Sequence, residues 1–220
     1  MDNYYRGAHA LHYNTRWHTF TERTLTHVLT FLKEETIQFA PASSHQKLHV
    51  LDVACGTGRL IELLSQRYPR LDAVGVDASQ DMLTQARKTV QDQSCIHFVQ
   101  AEVGPGERAN LPFEPASFDV ITCTNAFHDL RAPLETLQGL RTLLTPGGIL
   151  ILEDYARRPP PFPWNTFERI VRWVEGTYVQ AYTLEEAHAL CTQAGYQALA
   201  EEAFKIDWLW RGWEIVASKI

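Results

Sequence analysis

Leu51-Asp52-Val53-Ala54-Cys55-Gly56-Thr57-Gly58-Arg59 sets a carboxylate and two glycines between an apolar run and a helical one. His49 to Val53 is rich in Leu and Val and predicts a short strand, and Leu60-Ile61-Glu62-Leu63-Leu64 predicts the start of a helix. Gly56 and Gly58 permit a tight turn and close approach of a ligand. A second strand, Ala73-Val74-Gly75-Val76, ends at Asp77. Nucleotide sites place a ribose-binding acid about 20 residues beyond the glycine turn, and Asp77 falls at that distance. The reading is a cofactor site at the mouth of a parallel sheet.

Charge narrows the cofactor. A dinucleotide site wants Gly or Ala as the third small residue, so that the pyrophosphate can lie on the helix N-terminus. Ile61 stands in that place, and Asp52 beside the turn repels a pyrophosphate but attracts an ammonium group. With these residues the chain resembles the class I S-adenosylmethionine-dependent methyltransferases of the small-molecule type. Val50 to Gly58 matches their first motif, hydrophobic-Leu-Asp-x-x-Cys/Gly-Gly-x-Gly.

The resemblance continues through four further motifs. Val74 to Leu83 is similar to the ribose-binding acid followed by a helix start, with Ala78 and Met82 beside the cofactor. Phe98 to Val103 resembles the third element, in which Glu102, where Asp is more usual, faces the adenine amino group and the Val103 amide a ring nitrogen. Leu111 to Ile121 resembles the run into the fourth strand, which ends in Thr124-Asn125-Ala126-Phe127-His128-Asp129-Leu130. Leu144 to Leu152 looks like the Leu-x-Pro-Gly-Gly turn and fifth strand. Tyr13-Asn14 resembles a Tyr-Asp pair that precedes the first motif in relatives, with Tyr13 over the cofactor. The resemblance implies S-adenosyl-L-methionine as cofactor and S-adenosyl-L-homocysteine as product. Tyr13, Asp52, Gly56, Gly58, Asp77, Ala78, Met82, Glu102, Val103 and Asn125 are the cofactor-binding residues it implies. The implied fold is α/β, a Rossmann-like seven-stranded, mostly parallel sheet with helices on both faces and an antiparallel C-terminal strand.

The 220 residues read as a single domain. Residues 1–45 predict a helical cap whose helix starts at Thr21 or Thr24 and carries Leu25, Val28, Leu29 and Leu32 on one face, with Ala40 to Ser44 as linker. Residues 46–156 form the cofactor-binding core. Gly104 to Asn110 lengthens the connection after the third strand and reads as a surface insertion or as a loop over the adenine. Arg157-Arg158-Pro159-Pro160-Pro161-Phe162-Pro163-Trp164 breaks the alternation, because consecutive prolines continue neither helix nor inner strand. Residues 157–180 are therefore expected as a lid insert with a short helix, Thr166 to Val174. Residues 181–220 begin with a capping box at Thr183 to Glu186 and reach a helix end at Gly195, and the remaining apolar segments, Ala198 to Trp210 and Gly212 to Ser218, resemble the antiparallel final hairpin of this family.

Composition limits the function classes. A net charge of −6 and Arg157-Arg158 as an isolated basic pair argue against nucleic-acid binding. Asn125-Ala126-Phe127-His128 also occupies the place of the Asn-Pro-Pro-Tyr type signature of nucleobase methylation. A small-molecule acceptor is the expected partner, with a homodimer compatible with the sequence. No apolar run approaches the roughly 18 residues of a membrane span, and no signal segment is evident, so a cytoplasmic protein is expected. Cys55, Cys95, Cys123 and Cys191 lack paired spacing and predict buried thiols, with no metal site.

A sulfonium methyl group is already electrophilic, so methyl transfer asks mainly for alignment and exclusion of water. A base matters where the acceptor arrives protonated. His128 is the candidate, with Asp154 and Tyr155 at the end of the fifth strand as further candidates; the alternative for His128 is ordering of its loop beside Asp129. His12, Trp17, Tyr155, Phe162, Trp164 and Trp173 are the expected acceptor contacts, which favours a planar or apolar acceptor such as a phenolic or polyketide-like metabolite, or a quinone-type lipid. Two rival classes remain at this stage: a nicotinamide-dependent oxidoreductase, disfavoured by Asp52 and Ile61, and a non-catalytic methyltransferase-like module.

Overall fold

The computed structural model describes residues 5–32, 47–90, 94–159, 161–175 and 178–220. The strands are β1 (Leu48–Val53), β2 (Leu71–Asp77), β3 (Ile96–Gln100), β4 (Phe118–Thr124), β5 (Leu144–Tyr155), β6 (Tyr196–Lys205) and β7 (Arg211–Lys219). They form one sheet in the order β3-β2-β1-β4-β5-β7-β6. β1 to β5 run parallel, and β7 enters antiparallel to both β5 and β6. The helices are α1 (Ala8–Phe31), α2 (Arg59–Arg67), α3 (Gln80–Thr89), α4 (Pro133–Leu143), α5 (Trp164–Glu175) and α6 (Leu184–Gln193). This is the α/β architecture expected from the alternating pattern, and both faces of the sheet are covered by apolar clusters. Strand order reverses between β1 and β4, which puts a crevice beyond their carboxyl ends.

The α1 helix starts at Ala8, well before the predicted Thr21 or Thr24. The threonines do not cap it. Thr24 Oγ1 donates to the Thr21 carbonyl at 3.1 Å and Thr26 Oγ1 to the Glu22 carbonyl at 2.6 Å, so these hydroxyls bond back into the preceding turn. Leu25, Val28 and Leu32 do face the sheet, packing with Ile149, Ile151 and Val216. The predicted linker at 40–44 lies outside the described residues. The insert helix is α5, which begins two residues before the predicted start. At α6 the capping box is present: Glu186 N–H donates to Thr183 Oγ1 and Thr183 N–H to the Glu186 carboxylate.

The Gly104 to Asn110 connection after β3 does not line the cavity; it lies at the surface, with Pro105, Gly106, Glu107 and Asn110 exposed, and is anchored at one residue. Arg108, Ala109 and Asn110 take three successive left-handed conformations (φ 55°, 53° and 64°), and this turn drives a fully buried Ala109 against α4. Gly139 on α4 receives it. A Cβ on Gly139 would stand 2.1 Å from the Ala109 backbone nitrogen, a contact that rotamer changes cannot relieve. Gly139→Ala should therefore cost about 2 kcal/mol of stability through overpacking, read as a lower midpoint in urea unfolding. An unchanged midpoint would show that the turn is free to move off α4.

Two glutamates sit inside the sheet. Glu153 on β5 and Glu214 on β7 face each other in register, on the face that α1 covers, and both are fully buried. Neither carboxyl has a hydrogen-bond partner among the described residues. Burial pushes the Glu153 carboxyl well above its ordinary range and the Glu214 carboxyl up to about 8.

Candidate active site

Beyond the carboxyl ends of β1, β2 and β4 opens a cavity of about 620 Å³. Tight backbone turns shape it. Ala54, Gly56 and Gly58 have φ of 55°, 53° and 73°, and a Cβ at Gly56 would meet no atom within 4 Å, so the chain leaves that space open to the cavity. Gly58 is needed for another reason. A Cβ there would press on Ala86 at 3.1 Å and Phe98 at 3.2 Å, so this glycine lets α2 pack close to the sheet and is not part of the cavity lining.

Two carboxylates face the cavity. Asp77 accepts from Gly56 N–H at 2.9 Å and from Ser79 N–H at 2.8 Å, which fixes the side chain at the rim and leaves lone pairs on both oxygens. Burial raises its pKa, and these two amides work against that rise. Asp52 lies deeper, 1% exposed, accepting from Thr122 Oγ1 at 2.7 Å. Desolvation, and less strongly the charge of Asp77, push it up to about 7 while the Thr122 hydroxyl opposes them. A cation arriving beside Asp52 would reverse that balance.

Most of the expected cofactor residues come together here. Tyr13, Asp52, Gly56, Asp77, Ala78, Met82, Glu102, Val103 and Asn125 all line the cavity. Asn125 has φ 52°, and its Nδ2 donates to Thr24 Oγ1 at 2.9 Å while its Oδ1 is buried without a partner among the described residues. An aligned donor in the cavity would satisfy that oxygen.

The N-terminal segment closes one side. Tyr5, Arg6, Thr21 and Leu25 also line the cavity. The Tyr5 hydroxyl donates to Asp129 at 3.1 Å, the Tyr5 carbonyl accepts from Ser79 Oγ at 2.5 Å, and Gly7 N–H donates to Asp81 at 2.8 Å. Sequence periodicity missed these contacts, because the first half of α1 has no apolar repeat. Extending the Leu25 face back by helical steps of four and twelve residues reaches Thr21 and Tyr13, and that spacing was the available signal.

His128 and Asp154 meet behind the cavity. His128 is 5% exposed, with Nδ1 2.8 and 2.9 Å from the two Asp154 oxygens and its backbone N–H donating to the same carboxylate at 2.7 Å. Its Nε2 lies 3.7 Å from Asp129, a residue of the cavity wall. The His128 carbonyl accepts from the amides of Val179 and Gln180, which ties the far end of the insert to this loop. Loop ordering and orientation of the ring thus come from the same residue.

The expected acceptor contacts are placed differently from the cofactor residues. His12 is exposed on α1, and Trp173 is 86% exposed on α5. Trp17 packs edge-on to Phe20, with ring centroids 5.8 Å apart. Tyr155, Phe162 and Trp164 belong to an aromatic cluster that joins α5 to the hairpin through Phe167 and Trp210. None of these six lines the cavity, because the rings of the insert pack on one another and on Trp210. Tyr155 comes nearest in chain of contact, its ring 4.6 Å from that of His128. Cys55 and Cys123 are buried free thiols. Among the described residues no helix is long and apolar enough to cross a membrane, and no group of side chains has the make-up of a metal site.

A family model described as a methyltransferase domain matches residues 51–150. The chain is 37% identical over 123 residues to a demethylmenaquinone methyltransferase of Deinococcus radiodurans, covering 56% of this chain and 48% of that protein. It is 27% identical over 176 residues to a ubiquinone biosynthesis O-methyltransferase of Roseobacter denitrificans, covering 74% of this chain and 67% of that one. The chain spans about half the length of the first of these and of several similar curated relatives. In structure it resembles the YcgJ protein of a Bacillus (TM-score 0.62, 18% identity, 83% of this chain and 97% of the other). It also resembles an N-methyltransferase of Haemonchus contortus solved with S-adenosylhomocysteine (TM-score 0.69, 16% identity, 87% and 52%).

Proposed function

We propose that the chain, which a methyltransferase-domain family model matches over residues 51–150, is a class I S-adenosylmethionine-dependent enzyme that transfers a methyl group to a small planar acceptor of the phenol or quinol type. The observation that carries the cofactor reading is the pair of carboxylates at the ends of β1 and β2, one deep and one at the rim. The residues present fit the group: Asp77 holds two free lone-pair directions where ribose hydroxyls can donate, and Asp52 and Asn125 Oδ1 offer acceptors to an ammonium. Glu102 and Val103 line the side where an adenine would lie. Bound there, S-adenosylmethionine supplies an electrophilic methyl group on a sulfonium.

The chain's own work is alignment and removal of a proton. Asp154 accepts from Nδ1 of His128, which selects the tautomer whose Nε2 carries the lone pair. That nitrogen lies 3.7 Å from Asp129, which lines the cavity, so the acceptor's hydroxyl proton passes to it by way of the Asp129 carboxylate as the new bond to the methyl group forms. The aromatic cluster around Tyr155 and Trp210 packs at the end of β5, where the Tyr155 ring lies 4.6 Å from that of His128 and holds it in place. Similarity to quinone-pathway enzymes supports a quinol as the first acceptor class to try.

Calorimetry with S-adenosylhomocysteine and with NAD, followed by transfer of labelled methyl groups to a short-chain naphthoquinol and to simple phenols, tests the reading. S-adenosylhomocysteine should bind and NAD should not, and product should form with a planar hydroxylated acceptor. Binding of NAD alone would end it. Asp52 adds a signature: since burial pushes its carboxyl up to about 7 and a cationic ligand favours the ionised form, affinity should rise about tenfold from pH 6 to pH 8. Asp52→Asn should bind more weakly and lose that slope. A flat profile in the wild type would remove Asp52 from the ammonium site.

A further inference from the structure

Outside the cofactor cavity, the insert and the hairpin enclose a groove whose first chamber is lined by four cationic side chains. Its first chamber, about 800 Å³, lies between the chain after β5 and the ends of β6 and β7, and its walls are Pro159, Phe162, Pro163 and Phe204. Arg157, Arg158, Lys205 and Arg211 line it, and among the described residues no carboxylate does. Arg157 is neutralised by Glu186. The other three make no ion pair among the described residues: Arg158 donates to the Leu209 carbonyl and lies 4.5 Å over the Phe162 ring, while Arg211 donates to the carbonyls of Asp207 and Trp210. Carbonyl contacts orient a guanidinium without cancelling its charge. In a chain of net charge −6, three uncompensated cations around one apolar groove are a concentrated exception.

A second, independent feature points the same way. The groove continues past Phe162 and Pro163 into a chamber lined by Trp164, with Glu185 as the one acid on its far wall among the described residues. Trp164 is 5% exposed, yet its indole Nε1–H is buried with no acceptor among them. Indole can only donate, and buried donors in folded chains nearly always find a partner. Arg158 lines both chambers, so an oxyanion beside it stands between the other two cations in the first chamber and the Trp164 indole in the second.

We propose that this groove is a binding site, separate from the cofactor cavity, for an oxyanion carried on an apolar body, either a carboxylate or a phosphate ester. The anion is held by Arg158, Lys205, Arg211 and the Trp164 indole, and the apolar part lies on Phe162, Phe204 and the prolines. Arg presents a planar fork suited to two anion oxygens, whereas Lys205 contributes a point charge.

The test uses the full chain labelled with 15N at tryptophan, with the Trp164 indole resonance assigned by its loss in Trp164→Phe. Monooctyl phosphate, below its micellar concentration, should shift that resonance saturably. Inorganic phosphate should bind at least about tenfold more weakly, since it has no apolar part, and octanol should leave the resonance in place. The double variant Arg158→Gln/Lys205→Gln should raise the octyl phosphate Kd by about tenfold or more while keeping wild-type affinity for S-adenosylhomocysteine, which shows that it is folded. Three results each overturn the proposal: octanol binding as well as octyl phosphate, inorganic phosphate binding equally well, or a double variant with unchanged Kd.

Discussion

Replacing His128 with asparagine should lower turnover by about 10²-fold or more while the Kd for S-adenosylhomocysteine stays within about twofold of the wild type. Nδ1 of the histidine is committed to Asp154, and the backbone N–H of the same residue donates to that carboxylate. An asparagine amide can still donate to Asp154, so the loop keeps its anchor, but it has no basic lone pair. Loss of rate with the loop intact isolates proton transfer from ordering. The pH profile gives the second readout. A neutral imidazole accepts a proton and a protonated one does not, so the wild type should lose rate towards acid pH and the variant should lack that limb. Added imidazole should restore part of the rate. Wild-type turnover in the variant from pH 6 to 9 would reduce His128 to the residue that orders the loop and receives the amides of Val179 and Gln180.

Asp77→Ala should weaken S-adenosylhomocysteine by about 10²-fold, equivalent to about 3 kcal/mol, since two hydrogen bonds to a charged acceptor are lost together. The loss does not come from the ligand alone. Gly56 N–H and Ser79 N–H both donate to Asp77, so the alanine variant also frees the two amides that shape the glycine turn and the start of α3. Asp77→Asn separates the two effects, because its amide oxygen keeps one amide bond and one ligand bond. Calorimetry should place its affinity between the wild type and the alanine variant. If Asp77→Ala bound with wild-type affinity, the rim carboxylate would be a turn former only.

The rim of the sheet was legible because parallel strands buried on both faces read as continuous apolar runs, and each run here stops at a polar residue: Asp52, Asp77, Asn125 and Asp154. Those stops are where backbone leaves the sheet, so sequence position and cavity position coincide. The insert was legible only as an interruption. Pro159 to Trp164 shows that strand and helix must break, but an aromatic ring packs as well on Trp210 as on a ligand, and sequence has no term that separates the two. Trp164 and Phe162 turned to their neighbours and Trp173 to solvent for that reason. Gly58 shows the same ambiguity at a single residue. The motif predicts a glycine, and the physical demand comes from Phe98 and Ala86 across the packing interface. The left-handed turn at Arg108 to Asn110 left no trace at all, because none of its residues is glycine.

The carboxyls enclosed in the sheet also change what the native chain carries as charge. Glu214 is largely protonated and Asp52 about half ionised at pH 7, and burial favours the protonated form of Glu153, so the folded protein is less anionic than its formal −6. Unfolding returns each acid to water and its ordinary pKa, near 4. Denaturation at neutral pH therefore expels protons into the buffer. Each acid has its folded pKa above its unfolded one, so its contribution to stability is complete below about pH 4 and lost as the pH rises through the folded value, about 7 for Asp52 and about 8 for Glu214. As far as these three groups govern it, the protein is an acid-tolerant fold that alkali loosens from within, beginning under α1.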